Sequence, residues 1–192
     1  MGGVQTEVNE YPWQVGMVSK GSSSVFCGGS LISNQWILTA AHCTYETAAS
    51  SIQALLGEHD YESNTETDMV RMSISEIVDH PSYDHGTTNY DFSLLKMKNP
   101  IDFSAYPHIR PICLPANDDS DFNDFVATVT GWGTTSLGGS TSNKLLEVNL
   151  DVLSNSECKN DYSYPSSWIT DQMLCAIVDG GGKDACQGDS GK

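Results

Sequence analysis

The chain has 192 residues, with 25 Asp and Glu against nine Lys and Arg, for a formal net charge of −16. So acidic a chain repels phosphate backbones and anionic lipid, which excludes nucleic acid and membrane surfaces as partners and favours cationic polypeptides. An apolar share of 39% supports one large or two small folded domains, and no run approaches the roughly 20 apolar residues of a membrane-spanning helix.

The opening Met1-Gly2-Gly3 has neither the basic start nor the apolar stretch of a signal peptide. Beyond it the pattern is one of short strands punctuated by turns, an all-β reading. Strands are expected over 13–18, 25–30, 36–40, 52–57, 69–79, 92–96, 125–131, 145–152 and 173–178. Leu146-Glu147-Val148-Asn149-Leu150-Asp151-Val152 alternates apolar with polar, as a strand with one wet face does. A short helix is expected to open at Ser154, with Glu157 three residues on as a capping box, and a single helical turn near 40–43. The linkers 19–24 and 134–142 are rich in Ser, Gly and Thr, and 117–124 is acidic. Six cysteines with no Cys-x-x-Cys and no zinc-like spacing read as disulfides, hence a secretory compartment.

Three positions carry chemistry. Ser190 stands in Gly188-Asp189-Ser190-Gly191, where glycines let backbone amides approach a ligand closely. Alone, that tetrapeptide is also ordinary turn composition. A serine hydroxyl needs a base in reach and a group that orients the base. His42 ends the apolar run Trp36-Ile37-Leu38-Thr39-Ala40-Ala41-His42-Cys43, and Asp91 opens the run Asp91-Phe92-Ser93-Leu94-Leu95. A carboxylate at the mouth of a buried strand is costly unless it is partnered.

Those three blocks resemble the signatures of the trypsin/chymotrypsin family of serine endopeptidases. Tyr11-Pro12-Trp13-Gln14-Val15, Cys27-Gly28-Gly29-Ser30-Leu31, Arg110-Pro111-Ile112-Cys113-Leu114-Pro115 and Thr130-Gly131-Trp132-Gly133 match as well, so the likeness runs the length of the chain. The resemblance implies two six-stranded antiparallel barrels, residues 1–107 carrying His42 and Asp91 and residues 108–192 carrying Ser190. The segment 99–110 would be the crossing between them. It also implies a chain cut short at both ends, with an incomplete second barrel and little activity of its own.

By the same resemblance Ser190 is the nucleophile, His42 its base and Asp91 the orienting acid. The N–H groups of Gly188 and Ser190 form an oxyanion hole, and Asp184 floors a pocket selecting Arg or Lys. Asp189 would pair with the amino group freed by zymogen cleavage, although this chain begins with Met1 one residue short of the usual start. The implied disulfides are Cys27–Cys43 and Cys158–Cys175, each closing a loop of about 17 residues worth roughly 3 kcal/mol. Cys113 and Cys186 would stay unpaired. Glu58, Asp60 and Asp68 offer oxygen ligands for a calcium loop, against the simpler reading of a solvated acidic loop. No cofactor is required. The implied partners are polypeptide substrates and proteinaceous protease inhibitors, with the enzyme a secreted monomer. Two other readings stay open: a non-catalytic binding protein on the protease scaffold, and a regulatory protease of the clip-domain type in a cascade.

Overall fold

The computed structural model describes residues 3–63, 65–117, 122–135, 139–161, 165, 168–177 and 189–191. After a two-residue strand, β1 (Val4–Gln5), come six antiparallel strands: β2 (Gln14–Ser19), β3 (Val25–Leu31), β4 (Trp36–Thr39), β5 (Ile52–Leu56), β6 (Val70–Asp79) and β7 (Ser93–Met97). They close a barrel in the order β2-β3-β4-β7-β6-β5, with β5 pairing back onto β2 through Val15–Leu56. The period of two decides which side chains enter: in β7, Ser93, Leu95 and Met97 are buried while Leu94 and Lys96 are not. Val15, Met17, Leu31, Ile37, Leu56, Leu95 and Met97 fill the interior. Ile101 and Ile109 are buried in the same cluster, and Ile112 N–H donates to the Leu31 carbonyl at 2.9 Å. Segment 99–110 thus sends Ile101 and Ile109, with Phe103 and Tyr106 against them, into the core of the first barrel.

The second module is a sheet built on β9 (Leu146–Leu153), with β8 (Val126–Gly131) along one side and β1 and β10 (Cys175–Ile177) along the other. The helix α1 (Asn155–Asp161) follows β9. Its start is the expected capping box: Ser154 Oγ accepts from Glu157 N–H at 3.2 Å, and Glu157 Oε2 accepts from Ser154 N–H at 2.9 Å. The Cys158–Cys175 disulfide ties α1 to β10. Architecture and order are those of the chymotrypsin-like fold, the first barrel closed and the second incomplete.

Trp132, 1% exposed, locks the two modules together. It packs with Val18, Val25 and Leu55 of the barrel wall and with Leu145, and its Nε1–H donates to the His59 carbonyl at 2.9 Å. Most expected strands lie within a residue or two of the observed ones. β1 had no signal in the sequence, because two exposed residues held only by their register opposite Glu147 and Leu146 leave no periodicity to read.

Candidate active site

His42 is positioned by the end of β4. After Thr39 the chain passes into a 3₁₀ turn, Ala41–Cys43, closed by Cys43 N–H to Ala40 O at 3.2 Å and Thr44 N–H to Ala41 O at 3.0 Å. Ala41 and Cys43 are buried on either side, so the residue between them, His42, faces outward. The Cys27–Cys43 disulfide, with Cα atoms 6.3 Å apart, fastens the turn to β3. Thr44 Oγ1 donates to Asp79 Oδ1 at 2.7 Å, fixing the turn's exit to the end of β6.

Asp91 arrives from the adjacent strand. β4 and β7 are antiparallel with Thr39 opposite Ser93, so residues just past 39 meet residues just before 93. Asp91 accepts the His42 backbone N–H on Oδ1 and faces His42 Nδ1 with Oδ2, both at 2.7 Å. An ionised carboxylate only accepts, so Nδ1 is the donor in this contact. The side chains are 36% and 26% exposed, so the pair orients the ring and contributes little to stability. Next to Asp91, burial and, secondarily, the Asp91 charge raise the Tyr83 hydroxyl above its usual range.

Ser190 comes to the same end of the barrel through its backbone. Its carbonyl accepts the Gly28 N–H of β3 at 2.7 Å. Gly191 follows with φ +85°, and a Cβ there would collide with Thr39 Oγ1 and stand 2.7 Å from Gly28 O and 3.0 Å from Ala40 N. A recess of about 190 Å³ is lined by Ala40, Asp91, Phe92 and Gly191 together. Among the described residues no hydrogen bond joins Ser190 Oγ to His42, whose Nε2 lies 3.6 Å from Cys43 Sγ. Hydrogen bonds of this kind are often long before substrate binds.

Asp189 turns away from solvent and accepts Gly133 N–H at 2.8 Å. A Cβ at Gly133 would overlap that carboxylate, so only glycine leaves it room. Gly3, Gly133 and Asp189 line one small recess of about 50 Å³. Gly28 and Gly133 were visible only as parts of longer matching blocks; nothing in either block says which atom each glycine must seat. Gly188, Asp184 and Cys186 lie outside the described residues. Cys113 is free and exposed.

Among the described residues, Glu58, Asp60 and Asp68 do not gather their carboxylates into one cluster. Among the described residues, the His, Cys, Asp and Glu ligand atoms that gather within 4.8 Å belong to Cys27, His42 and Cys43, two of which are a disulfide. Asp60 Oδ1 instead accepts Glu62 N–H at 3.1 Å. Glu58 is buried, which raises its carboxyl above the usual range, opposed by the His59 N–H it accepts.

The family model described as Trypsin matches residues 1–192. "Serine proteinase stubble" of Drosophila melanogaster is 38% identical over all of this chain and 25% of that protein. "Venom serine protease Bi-VSP" of Bombus ignitus is 40% identical over 86% of the chain and 46% of its own length. "Trypsin-1" of Astacus astacus is 36% identical over the whole chain and 80% of its own length. The chain thus spans under half of the first two relatives. With the fold, the His42–Asp91 pair and the seat of Ser190 in place, the match over its full length shows that the chain belongs to the trypsin family of serine-type endopeptidases.

Proposed function

We propose that this chain is the catalytic domain of a secreted endopeptidase that cleaves after Arg or Lys through an acyl-enzyme on Ser190. The observation that carries the reading is the two-point contact of Asp91 with His42, at the barrel end where the Ser190 backbone is seated. Ser190 Oγ attacks the scissile carbonyl as its proton passes to His42 Nε2, forming the Oγ–C bond and an oxyanion. The N–H groups of Gly188 and Ser190 would hold that oxyanion; losing one such donor typically costs about 10²–10³ in turnover. The proton then moves from Nε2 to the leaving amine as the C–N bond breaks, and water, deprotonated by the same imidazole, releases the acid. Asp91 stays ionised throughout and supports the imidazolium.

Asp184 is assigned to the base of the specificity pocket by its place six residues before Ser190. Asp189 is assigned to an ion pair with a chain-terminal amine, a role supported by the recess it shares with Gly3. No step needs a metal. Two disulfides support an oxidising, extracellular setting, and polypeptide substrates and inhibitors of protease type follow from the site. The cascade reading draws on one observation, the exposed free Cys113, placed to tether a further polypeptide.

Paired ester substrates test the assignment: hydrolysis of Arg and Lys esters should exceed that of Phe and Tyr esters, and Asp184→Ser should reverse the order. Equal or faster turnover of the aromatic esters by the parent would remove Asp184 from this role. Absence of any Ser190-dependent hydrolysis would favour either the non-catalytic binding protein or a chain with little activity of its own.

A further inference from the structure

We propose that Tyr90 is a positioning residue for the dyad: its ring, stacked on His80, clamps the left-handed turn that delivers Asp91 to His42. The inference rests on the protease reading above and adds to it a residue that touches neither substrate nor base. Tyr90 has φ +56°, a region that bulky L-residues avoid and that persists only where the surroundings enforce it. One contact made by its side chain can enforce it. The Tyr90 and His80 rings stack face to face, centroids 4.8 Å apart and planes within 6°.

The imidazole in that stack is itself held. His80 follows β6 directly, its N–H donates to the Phe92 carbonyl at 2.9 Å, and its Nδ1 accepts Ser82 N–H at 3.1 Å. The Phe92 N–H reaches back to the Tyr90 carbonyl at 2.8 Å, closing a three-residue turn with Asp91 at its centre. Ring, turn and carboxylate therefore form one short chain of contacts ending in the two 2.7 Å bonds to His42. The start of the loop is anchored separately, with Asn89 O accepting Asp84 N–H at 3.1 Å and Asn89 Oδ1 accepting Thr170 Oγ1–H at 2.7 Å. Only the Tyr90 step lies between those anchors and Asp91.

The test is the exchange rate of the His42 Nδ1 proton, read by NMR on histidine-labelled protein, which reports the Asp91 contact whether or not the protein turns over substrate. Tyr90→Phe keeps the stack and should match the parent. Tyr90→Ala keeps the strain but loses the ring, and exchange should quicken about tenfold. Tyr90→Asn should fall between them, because Asn tolerates the left-handed region. His80→Leu should resemble Tyr90→Ala, and the double variant should be no worse than either single one, since both remove the same contact. Parent-like exchange in folded Tyr90→Ala would overturn the proposal. Should that variant not fold, parent-like exchange in both Tyr90→Asn and His80→Leu would do so. Asp91→Asn separates the two readings: if it leaves the parent's Nδ1 signal unaltered, the dyad itself fails and this proposal with it.

Discussion

At Gly191 one missing methyl group decides whether Ser190 can dock. Its φ of +85° and the Thr39, Gly28 and Ala40 atoms around its absent Cβ leave no room for a side chain. Gly191→Ala should cost about 1–3 kcal/mol from the left-handed backbone alone and weaken every Ser190-dependent reaction more than it lowers Tm. A parent-like Tm and acylation rate would show that the seat adapts. Glu58 makes the opposite kind of case. Burial raises its carboxyl, so the native state holds a proton that the unfolded chain has already lost. Stability on this account falls as pH rises from the ordinary carboxylate value through the raised one. Glu58→Gln keeps the acceptor for His59 N–H and removes the charge. It should melt above the parent at pH 7 and level with it near pH 4; thermal melts at both values check the sign.

Among the elements, β9 was legible because its apolar and polar residues alternate, β2 and β5 because they are short apolar runs bounded by turns, and the helix because Ser154 and Glu157 state their capping roles outright. His42, Asp91 and Ser190 could be picked out because a serine hydroxyl needs a base in reach and a group to orient it, and because the three blocks that carry them resemble the family's signatures. Less could be read where geometry depends on a partner far along the chain. β1 exists only because Glu147 and Leu146 are there to pair with it. Tyr90 gives no hint of its backbone, since aromatic residues rarely take that conformation. Gly28 looks like any strand glycine until Ser190 is seated on its N–H. The turn bearing His42 is an element-scale device, pinned by Cys27–Cys43. Replacing both cysteines with Ala should cost about 3 kcal/mol, a fall in Tm of about 6–12 °C. It should also loosen His42 relative to Asp91, measurable as faster Nδ1 proton exchange.

On the scale of the whole molecule, the two modules behave as one body because Trp132 is shared between them. Its ring packs on the barrel wall beside Gly16, where a Cβ would stand 3.4 Å from the indole. Trp132→Phe should lose the hydrogen bond to His59 O and part of the packing, while Trp132→Ala should cost about 3–5 kcal/mol. If the seam carries the coupling, both modules should melt together in the parent and separately in Trp132→Ala; a single transition in that variant would place the coupling elsewhere. The same seam lets the barrel that carries His42 and Asp91 hold a serine 99 residues beyond Asp91 in the chain.

Acylation of Ser190 by a guanidinobenzoate ester, followed by intact mass in the parent and its variants, bears most directly on that convergence. The readout is the ratio of rates. One adduct on Ser190 is expected, absent in Ser190→Ala, with Asp91→Asn slower by about 10⁴ and His42→Ala by about 10⁶. An adduct at another residue, or a Ser190 rate indifferent to loss of His42 or Asp91, would contradict a shared site.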